Sequence, residues 1–234
     1  MEMTESQQDQ NTHSQARKRF YLGGLFKENR AFILLAALAF QILFSGKDLG
    51  GDIIDTVVRL FTVLAAVYMS ADNRKHFLIG LSLGIPSFLL ITFSGPADSA
   101  VINWATYFFT LGLYLYVMRL MLIRIFNATV ITLNLIGLAL CTYILIGAVW
   151  VLFYSVVVAL DPHAFTLPIL DEGDAFHTLG YFSYVTLTTL GYGDISPVSN
   201  IARNLAVLEA LTGTMFLAVL ISRLVGAYTS RKNQ

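Results

Sequence analysis

Six apolar runs, at roughly 30 to 46, 53 to 70, 76 to 94, 100 to 123, 129 to 160 and 201 to 228, follow one another with only short polar breaks between them. A hydrocarbon core about 30 Å thick is crossed by about 20 helical residues. Lipid offers no partner to a backbone amide, so a run that crosses it must close its own hydrogen bonds as a helix. The first run is short, and flanking residues such as Lys27 and Arg30 or local thinning of the bilayer accommodate the mismatch; a re-entrant segment is the alternative there. With 56% hydrophobic residues, 13% charged residues and a mean hydropathy of +0.67, a soluble domain is excluded. The expected fold is an all-α membrane protein with six transmembrane helices.

Charge sets the expected orientation. The first twenty residues are polar and lack the apolar stretch of a cleavable signal peptide, so residues 1–29 read as a disordered cytoplasmic tail. Arg17, Lys18 and Arg19 stand just ahead of the first span and hold the amino terminus inside. Six crossings then place all of the 15 Lys and Arg residues except Lys47, Arg59 and Arg203 on the cytoplasmic side or at its edge. Asp48, Asp52, Asp98, Asp161, Asp171, Glu172, Asp174 and Asp194 fall on the opposite side. The net charge of zero therefore conceals a separation that satisfies the positive-inside rule, with both termini cytoplasmic in a multi-pass cell-membrane protein.

Between the fifth and sixth runs lies a shorter apolar patch, Ala175 to Leu190, preceded by the acidic cluster Asp171-Glu172-Gly173-Asp174. The cluster supplies an N-cap for a helix starting near Ala175 that reaches only half-way across the membrane. It runs into Thr186-Leu187-Thr188-Thr189-Leu190-Gly191-Tyr192-Gly193-Asp194. Irregular backbone at this depth is tolerated only where protein buries it or water reaches it. The string T-x-T-T-x-G-Y-G-D, with Leu190 where Val is usual, resembles the selectivity filter of tetrameric potassium channels, the standard case of ion selection by backbone carbonyls. The order outer helix, pore helix, filter, inner helix resembles that family's pore over residues 129 to 228. The expected architecture is voltage-gated-like: a four-helix voltage-sensor-like membrane domain over 30–124 and a pore domain over 125–230.

A dehydrated potassium ion must be offered oxygens in place of its water, and backbone carbonyls do this. Gly191 and Gly193, lacking a Cβ, enter positive-φ conformations that let successive carbonyls face one axis. The resemblance implies that K+ is bound by the carbonyls of Thr189, Leu190, Gly191 and Tyr192 and the Thr189 hydroxyl, with Gly193 completing the filter. It further implies support from Thr186, Thr188 and Asp194, the last capping the outer mouth, and a Tyr192 that braces the filter against neighbouring pore helices. One filter per chain implies a C4 homotetramer, with Tyr181 and Phe182 packing across subunits. No cofactor beyond permeant K+ and no partner beyond identical chains and membrane lipid is expected; neither nucleic acid nor a soluble protein is implied.

Glu209 is the acidic residue deep in the sixth run, where an ionised carboxylate is costly and functional roles are the default reading. It faces the central cavity or sits behind the filter near Thr186. Gly213, one turn on, stands at the family's hinge position, although close helix packing equally calls for glycine. The fourth run has no basic residue from Val101 to Met118, so it lacks the arginine array that steep voltage gating needs. Arg119 and Arg124 read as topology anchors, Asp55 and Arg59 as a self-neutralising i, i+4 pair, Pro86 as a kink, Cys141 as a small core or lipid-facing residue, and His177 as an interfacial group near the pore helix. No ligand cluster, nucleophile with base, or phosphate loop points to an enzyme. The function expected is a potassium-selective channel without conventional voltage gating. The alternatives are a weakly selective monovalent cation channel and a non-conducting sensing or assembly subunit.

Overall fold

A computed structural model describes residues 30–44, 51–71, 73–93, 100–128, 130–166 and 172–232. They form α1 (Arg30–Phe44), α2 (Gly51–Met69), α3 (Arg74–Phe93), α4 (Ala100–Asn127), α5 (Leu133–Leu160), α6 (Glu172–Leu187) and α7 (Asn200–Lys232). The expected tail over residues 1–29 lies outside the described residues.

Four of these helices are long and apolar enough to span a membrane: Arg74–Phe93, Val101–Asn127, Leu133–Leu160 and Asn200–Arg223. The first two runs also form helices, α1 and α2, outside that set of four. At 1.5 Å per residue the 15 residues of α1 reach about 22 Å. The α2 helix has 19 residues, about 28 Å, and covers the second run, but Asp52, Asp55 and Arg59 place three charges in its first nine residues. The α6 helix, 16 residues long, is also sub-membrane in length and begins at Glu172, ahead of the expected Ala175.

The α5 helix is the axis of the chain. It packs on α1, α4, α6 and α7, and 67% of its membrane-length window is buried, against 11% for α7. Thr132 caps its start, its hydroxyl accepting from the Leu135 amide at 3.2 Å. One hydrophobic cluster joins α1, α2, α4 and α5 through residues such as Leu34, Met69, Leu113, Met121 and Leu145. It therefore crosses the expected boundary near residue 125. A second joins α5, α6 and α7 around Tyr154, Phe165, Phe182 and Ala202.

Small residues set the close contacts. Cys141 is fully buried, and its thiol points at the Ala31 carbonyl 3.1 Å away, joining α5 to α1. Ser87 and Thr110 share a hydrogen bond of 2.8 Å between α3 and α4, and α3 runs on through Pro86 without ending. The His76 ring and the Tyr116 hydroxyl meet at 2.6 Å between the same two helices. The Asp55 side chain lies outside the described residues.

Candidate functional site

The pore helix α6 ends in a turn that accounts for every carbonyl its last residues would otherwise leave unpaired. The Tyr184 carbonyl accepts from the Thr188 amide and hydroxyl, at 3.1 and 2.7 Å. The Val185 carbonyl accepts from the amides of Leu190 and Gly191, and that of Thr186 from the amide of Thr189. The Leu187 carbonyl takes the Tyr143 hydroxyl of α5, at 3.1 Å. Thr188 is thus bound back to the helix end through its amide and hydroxyl, and Thr189 through the Thr186 carbonyl.

The next carbonyls are different. Among the described residues, those of Thr189, Leu190, Gly191 and Tyr192 accept no hydrogen bond, whereas Gly193 accepts from Ser196 Oγ at 3.3 Å. Residues 188 to 194 are all exposed in the single chain, Leu190 to 56% and Tyr192 to 66%. Positive φ occurs at Thr189 (58°), Gly191 (56°) and Gly193 (80°), and not at Leu190 or Tyr192. A sign that alternates residue by residue turns successive peptide planes the same way, in contrast to a strand, where they alternate. Glycine reaches this region freely, but a β-branched threonine does so at a cost of roughly 1–2 kcal/mol. Such strain persists where the surroundings impose it.

Asp194 closes the turn. It accepts from the Tyr181 hydroxyl at 2.7 Å and from the Ile195 amide at 3.0 Å. The Tyr181 bond, first, and then the backbone amide hold its carboxyl below the usual carboxylate range. The Tyr192 ring stacks on Tyr181 of its own chain, with centroids 6.5 Å apart and planes 9° apart. Phe182, expected to pack across subunits, turns inward instead: it is 5% exposed and meets Tyr154 and Phe165 edge-on, at 5.1 Å each. Its position on α6 faces α5, so its bulk belongs to the intrachain core.

Behind the filter, Glu209 is fully buried. Its Oε2 accepts from the Tyr154 hydroxyl of α5 and its Oε1 lies by the Ser183 hydroxyl of α6, both at 2.5 Å. It meets the pore helix one turn earlier than Thr186 and does not face open space. Gly213 is buried against the end of the pore helix, where a Cβ would run into the Leu187 carbonyl oxygen. Packing against that carbonyl is what requires glycine here. Gly147 likewise makes room for the Tyr184 ring, whose hydroxyl donates to the Ile144 carbonyl at 3.2 Å. His177 is exposed on α6.

Two features escape sequence reasoning. The loop after the filter is pinned to the end of α5 by a two-way exchange between Thr166 and Ser196, and by the amides of Val198 and Ser199 on the Ala164 carbonyl. Ser199 then caps α7. At the opposite end two arginines close helix termini. Arg124 of α4 donates to the Met69 carbonyl at the end of α2, at 3.1 Å. Arg223 of α7 donates to the carbonyls of Ile125, Phe126 and Ala128 at the end of α4. Cations at a helix carboxyl end meet its unpaired carbonyls and its dipole. The signal was an arginine near the end of a long apolar helix, but its target is set by the fold.

Residues 138–230 match the family described as ion channel, the stretch that holds α6, the free carbonyls and α7. A 54-residue segment is 44% identical to the two-pore potassium channel 4 of Arabidopsis thaliana, covering 23% of this chain and 19% of that relative. This carboxyl-terminal stretch is therefore similar to ion-channel proteins, a potassium channel among them. The matched segment spans about a fifth of the plant relative's length, and no solved structure matches the chain. The matched stretch lies in a membrane protein whose described helices include four of spanning length.

Proposed function

We propose that this protein conducts potassium ions passively through a pore built from four copies of the chain, in a cell membrane and with both termini cytoplasmic. The observation that carries the reading is the run of four consecutive carbonyls, Thr189 to Tyr192, with no partner in their own chain and φ alternating in sign through them. Unpaired backbone oxygens at membrane depth are costly unless something meets them, and a dehydrated cation does so. Thr189 adds its hydroxyl, Gly193 completes the filter, and Thr186, Thr188 and Asp194 support it. A single loop cannot enclose an ion, so four are required around an axis. The largely unburied inner helix, with Val207, Leu211 and Met215 exposed, supplies the apolar surface that neighbouring chains and lipid cover.

The six-helix arrangement follows if α1 and α2 cross a locally thinned bilayer. Residues 30–124 then form the voltage-sensor-like unit and 125–230 the pore, with 1–29 as cytoplasmic tail. The fourth helix carries no arginine array, so conduction is not steeply voltage-dependent.

Flux from proteoliposomes under opposed potassium and sodium gradients tests the proposal. Potassium flux that exceeds sodium flux and disappears in the Gly191→Ala/Gly193→Ala variant is expected. Equal sodium flux would identify a weakly selective pore in which Leu190 loosens the packing behind the filter. No flux from a correctly assembled tetramer would favour a non-conducting role.

A further inference from the structure

Five oxygens form an unbroken chain behind the proposed filter. Tyr154 Oη lies 2.5 Å from Glu209 Oε2, Glu209 Oε1 lies 2.5 Å from Ser183 Oγ, and Ser183 Oγ lies 3.0 Å from the Gly147 carbonyl. All three side chains are fully buried. Oxygens this close are hydrogen-bonded, and each of the three contacts needs a proton. Tyr154 and Ser183 carry one hydroxyl proton each, and the Gly147 carbonyl carries none. Three contacts therefore share two protons if Glu209 is a carboxylate, and Ser183 would have to donate to Glu209 and to Gly147 at once.

A protonated Glu209 removes the conflict. Tyr154 donates to Oε2, Oε1–H donates to Ser183, and Ser183 donates to Gly147, so that every contact has its proton. The charges around the site agree. The titratable groups near it are Tyr143 and Tyr154 on α5 and Tyr184 on α6. Among the described residues no Lys, Arg or His hydrogen-bonds or ion-pairs with it. A buried carboxylate without a cation is costly, and a neutral acid with both oxygens paired is not.

We infer that Glu209 is a neutral carboxylic acid whose proton binds Ser183, and that it acts as a positioning residue, locking the pore helix to the outer and inner helices and so fixing the filter. Ser183 lies one helical turn before Leu187, where α6 ends and the filter turn begins. Rotation of α6 at Ser183 is therefore passed directly to the turn that aims the carbonyls of Thr189 to Tyr192. This positioning role rests on the proposed conduction; the protonation state does not.

The test compares the full-length protein in lipid with two variants. A carboxamide accepts from Tyr154 and donates to Ser183 just as a neutral acid does, so Glu209→Gln keeps the potassium flux and its preference over sodium. Glu209→Ala, which leaves the Tyr154 hydroxyl without its acceptor and Ser183 with its bond to Gly147 alone, loses flux about tenfold, the population change expected from one buried hydrogen bond. The infrared difference between wild type and Glu209→Gln at neutral pH shows the carbonyl stretch of a protonated acid. A pair of carboxylate bands there, or a Glu209→Gln variant as impaired as Glu209→Ala while still tetrameric, overturns the inference. The infrared band does not depend on conduction, so a silent wild type that shows it defeats the channel reading and leaves the neutral acid standing.

Discussion

The two halves of the chain are held together by different forces. In α1 to α4 the contacts are mostly those of shape, Gly84 of α3 against Val67 and Val63 of α2 and the aliphatic cluster around Leu34, Leu113 and Met121, with directed bonds at Ser87–Thr110, His76–Tyr116 and Arg124–Met69. In α5 to α7 the pore helix is tethered by directed bonds, from Tyr143 to Leu187, Tyr184 to Ile144, and Tyr154 and Ser183 at Glu209. Lipid gives no hydrophobic drive between helices, so packing and interhelical hydrogen bonds are what remains. Packing fixes how closely helices approach but tolerates sliding and rotation, whereas a hydrogen bond fixes direction. A segment whose carbonyls must converge on one axis uses the second kind.

That contrast is most severely tested at Gly213. Gly213→Val puts a branched side chain into the Leu187 carbonyl, at an overpacking cost of roughly 1–3 kcal/mol. Potassium flux is expected to vanish and the protein to melt earlier in a detergent thermal-shift assay. Unchanged flux would show that the end of the pore helix is not held as rigidly as its bonds imply. Arg223→Ala leaves the carbonyls at the end of α4 without their cation, a loss of about 1.5–3 kcal/mol for bonds to a charged group. Limited proteolysis near residue 128 should accelerate, and flux should change less than in Gly213→Val.

A paired experiment then isolates direction from packing. Tyr143→Phe removes a bond to the pore helix and Thr110→Val one between α3 and α4, each about 1 kcal/mol. Similar melting shifts are expected, but only Tyr143→Phe should alter the potassium-to-sodium flux ratio. Equal ratios in both would dissolve the distinction. The smallest effect concerns Asp194. Its carboxyl is held below the ordinary range, so its bonds favour the folded filter above about pH 4 and are lost as pH falls through the lowered value. The titration of Asp194 should therefore leave flux unchanged between about pH 5 and 8 and make it fail in acid. Tyr181→Phe should move that failure to higher pH, which a pH series of flux measures.

Much of the pore was legible in the sequence because its chemistry is local. The need for positive φ at Gly191 and Gly193 follows from their lacking a Cβ, and both adopt it. The half-length helix before them follows from an apolar run too short to cross. Thr189 was legible only as a ligand, since nothing in a threonine announces that it will be forced to a φ of 58°. The second run was legible as a helix, and the three charges in its first half set it apart from the four longer apolar spans.

The sequence by itself determined that this chain enters a membrane as helices and bears one loop able to present carbonyls to a cation, because hydropathy and glycine are properties of residues. Only the tertiary structure decided where Glu209, Gly213, Phe182, Arg124 and Arg223 point. Their partners lie far off along the chain, Tyr154 being 55 residues from Glu209 and Phe126 being 97 from Arg223. A polar side chain in an apolar helix states that it needs a partner; which one it finds depends on the rotation and depth of its helix against its neighbours, and packing sets those.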